Sequence, residues 1–406
     1  MIEYMEKERK YKIYKWIMII ALTIFITFMI TSISLYTYFL NNPINANVSA
    51  TSTSKKIAGN LEKYREIIDK YYLGEVDENK LEEGAIKGYI EGLGDPYTEY
   101  ISKEDMEDYL NDTMGNFVGI GIYMVKNTTY DKIQVLSTIK DGPAEKAGIQ
   151  AGDLIVSVDG ITYTASDMTT AANNIKGEAG TKVNVEIQRE NQIIKYELTR
   201  EKVKVNPVEG KVLENNIGYI QFSSFDETTA EDFKNKFEEL NKKGIKSLII
   251  DLRNNGGGIV DQALEIADYI TDKDSVLLYE VDKTNKETVK KAQNDPIINM
   301  PIVILTNENT ASASEILAGA LKDLGKAKTV GTTTYGKGVI QQILRLSDGS
   351  GLKITIEEYQ TPNRNKINKV GIEPDEKVEL PDTVTNIFNV KENEDTQLQK
   401  AIGMLK

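Results

Sequence analysis

The chain has 406 residues, 40% of them hydrophobic and 27% charged, a balance that supports a packed core of two or three domains and excludes a disordered chain. A net charge of −13 argues against nucleic acid as a partner, because phosphate binding needs a basic surface. The absence of cysteine and histidine excludes disulfides, thiolate zinc sites, cysteine nucleophiles and the commonest general base, leaving hydrolytic chemistry to Ser, Thr, Lys, Asp, Glu, Tyr or the backbone.

No charged residue occurs between Trp16 and Leu40. At ~1.5 Å per residue a helix of this length spans a hydrocarbon core of ~30 Å. Lys7, Arg9, Lys10, Lys12 and Lys15 precede it and Trp16, Tyr36 and Tyr38 lie near its ends. Positive charge on one flank keeps the N-terminus cytoplasmic and sends the rest of the chain outward. A cleaved signal peptide, with Val48-Ser49-Ala50 as the cut, is the alternative; the apolar run is longer than a usual signal core. Either way the bulk of the chain is expected outside the cytoplasm. Residues 41–54 are polar and uncharged, as suits a linker. Ile57, Leu61, Tyr64, Ile68 and Tyr71 then recur in steps of four and three, one stripe on a helix. A second helix is expected from an Asp77 cap to about Gly92, with Leu81, Ala85 and Tyr89 inward. Such a pair packs on its own domain or on a second copy of the chain.

From about Asn116 to Val203 the pattern turns to short strands and glycine turns. FVGIGIYMV (117–125) reads as one glycine-punctuated strand, GPAEKAGIQAGDLIVSVDG (142–160) as helix, turn and strand, and DMTTAANNIKG (167–177) as a helix before a strand pair. Beyond Asn206, strands and helices alternate. IGYIQF (217–222) is a strand, Phe233, Phe237 and Leu240 line a helix, and SLIIDL (247–252) and IVILT (302–306) are buried strands, each followed by a turn and a helix. This alternation implies a layered α/β domain with parallel strands. Residues 396–406 close the chain as a helix capped by Asp395.

Three stretches bear on chemistry. In NENTASASEILAGALK (307–322), Ser312 and Ser314 sit where strand and turn give way to helix. Unpaired N–H groups at a helix start suit a nucleophile's oxyanion, and serine is equally favoured there as a plain cap. The glycines of DLRNNGGG (251–258) either turn N–H groups outward as a cradle or merely connect strand to helix. No Gly-Lys-Ser or Gly-Lys-Thr follows, which argues against a phosphate loop. In TTTYGKGVIQQ (332–342), Lys337 stands between two glycines before a strand. It is an exposed turn lysine, or, if buried and neutral, the base that a chain without histidine needs for Ser312.

These blocks, together with PYTEY (96–100), KVGIEPD (369–375) and DTQLQKAI (395–402), in order, resemble the C-terminal processing peptidases, or tail-specific proteases. The resemblance, which runs from about Leu61 to the last helix, implies an α/β crotonase- or Clp-peptidase-like catalytic domain with an inserted, β-rich PDZ domain of two helices and a helical N-terminal region; the uncharged run adds one N-terminal transmembrane helix. With the hydropathy and composition of the first 54 residues it divides the chain into a cytoplasmic N-terminus (1–15), transmembrane helix (16–40), linker (41–54), helical region (55–112), PDZ domain (113–203), catalytic domain (204–381) and C-terminal helical region (382–406). The resemblance implies a serine endopeptidase, anchored in the membrane by the expected N-terminal helix, that captures protein or peptide substrates by their C-termini and needs no cofactor. By the same likeness Ser312 is the nucleophile, Lys337 the base and Gln341 the residue orienting the lysine. N–H groups around Gly257 and Ala313 form the oxyanion hole, and Ser314 and Glu315 are structural. Val118, Gly119, Ile120 and Gly121 form the loop that takes a peptide's terminal carboxylate, with the helix near Asp167 as the other wall. Many relatives carry arginine where this chain has Lys176. A catalytically inactive PDZ scaffold or chaperone is the alternative, disfavoured because Ser312, Lys337 and Gln341 are all present.

Overall fold

The computed structural model of the chain describes residues 52–113, 116–127, 130–139, 141–204, 206–381 and 390–406. They divide into two units, one running to Met106 and including Gln342–Ile354, the other Glu107–Gln341 with Thr355–Lys406. The expected membrane segment, Trp16–Leu40, lies outside the described residues, and among those described no helix is long and apolar enough to cross a membrane.

In the first unit α1 (Ser52–Tyr71) begins inside the stretch expected to be linker. α2 (Glu78–Glu91) starts where Asp77 accepts the Lys80 N–H and ends at Gly92, as its capping residues dictate. The expected inward faces are not buried: Leu61, Tyr64, Tyr71, Leu81 and Tyr89 are all exposed, and α2 buries no residue. The periodicity marks helices, but of the expected faces only Ile57, Ile68 and Ala85 are even half-buried. β1 (Glu99–Ile101) pairs antiparallel with residues 351–353, and Lys353 bridges Glu99 at 2.8 Å. α3 (Met106–Thr113) follows, with only Met106 in this unit and the rest of the helix in the second.

The second unit begins with a small β-domain. β2 (Asn116–Gly119) and β3 (Ile122–Asn127) are separate strands, not the single one expected. Gly121 is the cause: at φ +75° the chain turns there, a conformation that disfavours a side chain, so β2 leaves to pair with a later strand. β4 (Lys132–Thr138), α4 (Pro143–Ala147), β5 (Leu154–Val158), β6 (Ile161–Thr162), α5 (Met168–Ile175), β7 (Lys182–Arg189), β8 (Gln192–Thr199) and β9 (Glu201–Lys204) complete it. The sheet order is β3-β4-β5-β7-β8, with β6 on β5 and β2 paired to β9. Alternating residues such as Ile133, Val135, Ile155, Val185 and Ile187 fill its core. Arg200 fastens the end of α5 by donating to the carbonyls of Asn174 and Ile175, which a helix C-terminus leaves unpaired.

The α/β part opens with β10 (Val208–Leu213), antiparallel to β11 (Ile217–Phe222). α6 (Thr229–Lys242), β12 (Ser247–Asp251), α7 (Val260–Asp268), β13 (Val276–Asp282), β14 (Glu287–Lys291), β15 (Ile302–Thr306), α8 (Ala313–Asp323), β16 (Lys328–Gly331), β17 (Val339–Arg345), β18 (Gly351–Gln360), β19 (Glu376–Lys377) and α9 (Thr396–Met404) follow. One sheet has the order β10-β11-β12-β15-β16-β19, with β11 through β19 parallel. In that sheet β12 and β15 are buried along their whole length, as strands covered on both faces must be. Ile250 and Ile304 face α6, α7 and α8, while Ile249, Val303 and Leu305 face Leu398, Ala401 and Ile402 of α9. β13 pairs with β14 and with the Glu357–Gln360 end of β18 in a second, antiparallel sheet. The β13–β14 hairpin lies in a stretch whose sequence shows no strong period.

Candidate active site

The centre of the site is the start of α8. Every residue of that helix from Ala313 to Leu321 is buried, so its N-terminus cannot drift. Ser312 occupies the cap position, 6% exposed, with φ +56° and ψ −119°. This backbone conformation is costly for a residue with a Cβ, about 1–3 kcal/mol, and persists only where the surroundings enforce it. Strain of this kind clusters where a side chain must be presented in a fixed direction.

Two loops enforce it. In the turn after β12, Asn255 lies fully buried, and its carbonyl accepts from the Ala311 N–H at 3.0 Å and the Ser314 hydroxyl at 3.1 Å. Asn307 accepts the Asn254 N–H and returns its own amide to the Asn254 side chain. Gly257 then comes so close to the serine turn that a Cβ on it would sit 2.7 Å from both the Ala311 carbonyl oxygen and the Ser312 Cβ. Here a glycine is required by contact as well as by its φ of +97°. The Gly257 N–H, expected to face an oxyanion, donates to Asn255 Oδ1 at 2.8 Å. In this arrangement an asparagine two residues upstream, a common turn partner, already occupies that donor. Ala313 begins α8, in the first turn whose N–H groups have no acceptor within the helix.

The other loop carries Lys337. Tyr335 N–H donates to the Thr310 carbonyl at 2.9 Å, Lys369 N–H to the Gly336 carbonyl at 2.8 Å, and Tyr359 N–H to the Gly338 carbonyl at 3.0 Å. A Cβ at Gly338 would overlap the Asn368 backbone, which explains the glycine after the lysine. The link to Ser312 is Glu315, fully buried one turn into α8. One carboxylate oxygen accepts the N–H groups of Ser312 and Lys337, each at 2.9 Å. The other accepts the Gly336 N–H at 2.8 Å and the Thr334 hydroxyl at 2.5 Å. Two residues 25 positions apart in sequence therefore hang by their backbones from one oxygen atom. Burial pushes the Glu315 carboxyl above its ordinary range, against the pull of these four donors. Gln341, on β17, donates its amide to the Thr355 hydroxyl at 3.4 Å.

Beside this centre, Arg253 is buried between Asp251 and Asp395, donating to both and to Gln397, and so fastens the head of α9 to the end of β12. In the β-domain, Val118, Gly119, Ile120 and Gly121 line an apolar cavity of about 200 Å³ whose opposite wall is Ala172, Ile175 and Lys176 at the end of α5. Tyr123, on β3, lines this cavity and also a larger one of about 950 Å³ reaching to Asp251, Arg253 and β10. Its hydroxyl faces Ser223, and burial holds it above the usual phenol range.

Residue pattern alone missed the roles of Glu315, Asn255 and Tyr359. Ser312 and Glu315 have the Ser-x-x-Glu spacing of a helix cap, which foretells the bond to the Ser312 N–H. Nothing local foretells that the same carboxylate reaches Lys337.

The peptidase family S41 model matches residues 216–378, a PDZ domain model residues 134–189, and the model described as the activating protease CtpB N-terminal domain residues 26–105. The chain is 36% identical over 366 residues to the carboxy-terminal processing protease CtpA of Bacillus subtilis (strain 168), covering 89% of this chain and 78% of that protein. It is 36% identical over 351 residues to CtpB of the same organism, covering 84% and 71%. The solved photosystem II D1 C-terminal processing protease shares 32% identity, with a TM-score of 0.52 over 80% of this chain and 90% of its own. A putative S41 protease from Bacteroides fragilis NCTC 9343, at 16% identity and a TM-score of 0.55 over 82% and 92%, shares the fold. Such a fold, with a PDZ domain set into it, is that of a serine-type endopeptidase acting on proteins or peptides. The chain belongs to the C-terminal processing peptidases of family S41.

Proposed function

We propose that the chain cleaves by a Ser–Lys mechanism. Neutral Lys337 takes the proton of the Ser312 hydroxyl as the oxygen attacks the substrate carbonyl, and the lysine then protonates the leaving amine. Water, deprotonated by the same lysine, hydrolyses the acyl-enzyme and frees Ser312. The Ala313 N–H, joined by that of Gly257 once Asn255 releases it, stabilises the oxyanion, and Gln341 orients the lysine. The observation that carries this reading is the shared Glu315 oxygen, which suspends the Ser312 and Lys337 backbones together at a strained serine. The test is cleavage of casein and of a tail-bearing peptide by the whole chain beside Ser312→Ala and Lys337→Ala forms. Both variants are expected to be inactive, and equal cleavage by all three would remove the assignment.

The substrate's C-terminus enters the apolar cavity beside Val118–Gly121, its carboxylate on the loop N–H groups and its last side chain among Ile120, Ala172 and Ile175. Occupancy biases the catalytic centre through β3: Tyr123 faces Ser223, two residues from Phe225, whose N–H donates to the Gly257 carbonyl at 3.0 Å. A tail peptide that binds and leaves turnover of an internal-site substrate unchanged would count against this coupling. The uncharged run Trp16–Leu40 behind five basic residues supports a single-pass anchor with the catalytic part outside the cytoplasm. Digestion of intact cells by added protease, which should remove the catalytic part, tests it. The exposed apolar residues of α1 and α2 support pairing with a second copy, to be read from the mass in solution.

A further inference from the structure

Tyr359 lies near the end of β18, opposite Glu280 of β13, and is 1% exposed. Its hydroxyl is 2.7 Å from the Lys337 carbonyl oxygen and 3.1 Å from the Ser312 carbonyl oxygen. Both oxygens are acceptors, so one phenolic proton is shared between them, with the stronger branch to Lys337. The Ser312 carbonyl already receives the Ile316 N–H at 3.0 Å as a helical bond, whereas Lys337 belongs to a loop between strands. A phenylalanine would fill the same core volume, so packing explains the ring and not the hydroxyl.

The same two residues are gripped from their other side by Glu315. It takes their N–H groups, and Tyr359 takes their carbonyls. Tyr359 also holds the residue after Lys337 by main chain, through its N–H to the Gly338 carbonyl. A single bond fixes a distance. Bonds at both the N–H and the C=O of a residue also fix how its backbone is rotated, and with it the direction in which the side chain leaves. For a pair that must pass a proton, an error of about 1 Å in placement costs ~100-fold in rate.

We propose that Tyr359 is a positioning residue for the Ser312–Lys337 pair: its hydroxyl sets the orientation of the lysine loop against the serine turn without touching substrate. This rests on the Ser–Lys reading given above. Tyr359→Phe removes the hydroxyl and keeps the ring. In the full chain it lowers kcat by ~10-fold or more with KM unchanged. It lowers the rate at which a fluorophosphonate labels Ser312 by the same factor, since that reaction needs the pair and not the substrate. A role in folding alone would instead lower the melting temperature and leave kcat per folded molecule intact. If Tyr359→Phe does not fold, a ring-fluorinated tyrosine at 359 whose hydroxyl ionises near neutral pH withdraws the proton without removing the oxygen. Activity then falls as that hydroxyl ionises, and activity indifferent to its ionisation overturns the proposal. So does wild-type kcat and labelling in Tyr359→Phe while Ser312→Ala and Lys337→Ala are inactive, an outcome that leaves the Ser–Lys reading standing. Cleavage retained by Ser312→Ala or Lys337→Ala removes that reading itself.

Discussion

Replacing Glu315 by glutamine changes almost no volume but exchanges one acceptor oxygen for a donor. The carboxylate serves two pairs of donors, Ser312 and Lys337 N–H on one oxygen, Gly336 N–H and the Thr334 hydroxyl on the other. If the new amide nitrogen faces Ser312 and Lys337, two buried N–H groups lose their acceptor. If it faces Thr334, the hydroxyl can rotate and accept, and only Gly336 N–H is orphaned. A buried donor left without a partner costs about 1–3 kcal/mol, so Glu315→Gln should cost at least that amount, and Glu315→Ala more because it orphans all four donors. Urea unfolding measures the loss, and cleavage assays should show reduced turnover even in the folded fraction. The pH dependence adds a sign. Because burial raises the carboxyl in the folded state, the native chain holds its proton when the unfolded chain, near the ordinary 4.5, has lost it. Wild-type stability from this group is full below that value and declines as pH rises through the higher folded value, a slope Glu315→Gln lacks. Stability within about 0.5 kcal/mol of wild type, below the cost of one orphaned donor, combined with full activity, would refute the claim that Glu315 joins the two loops.

Arg253→Met leaves the carboxylates of Asp251 and Asp395 buried without their cation, a loss expected near 3–5 kcal/mol, with hydrogen exchange in α9 rising before that of β12. Gly257→Ala forces a methyl into the Ala311–Ser312 backbone at a positive φ, and should cut kcat steeply while shifting the melting temperature by only a few degrees. Ala172→Trp fills the small apolar cavity and should weaken binding of a peptide with a free apolar C-terminus by ~10-fold or more in fluorescence anisotropy, with little effect on the same peptide amidated.

What was legible from residue order follows from what is local. Continuous apolar strands and the 3.6-residue stripe of Phe233, Phe237 and Leu240 mark the α/β layers, because burial on both faces leaves no room for polar residues. Asp77 and Asp395 mark helix starts because each caps its own N–H groups. The strand break at Gly121 was hidden because alternation looks the same on both sides of a turn. The exposure of Leu81 and Tyr89 was hidden because a stripe records that a face is apolar, not what covers it. Glu315 and Tyr359 were invisible as a pair because the residue they share, Lys337, is 22 positions from each in sequence, reached only after the sheets assemble. Gly257 lies beside the serine turn, yet its N–H turns to Asn255, a choice made by a side-chain rotamer that no motif encodes.

Mass spectrometry of the chain after brief exposure to a fluorophosphonate, across pH, examines the proposed chemistry most directly. One adduct on the peptide bearing Ser312, formed faster as a single amine loses its proton and abolished in Lys337→Ala, is the predicted result. An adduct on any other residue, or undiminished labelling of Ser312 without Lys337, would contradict it.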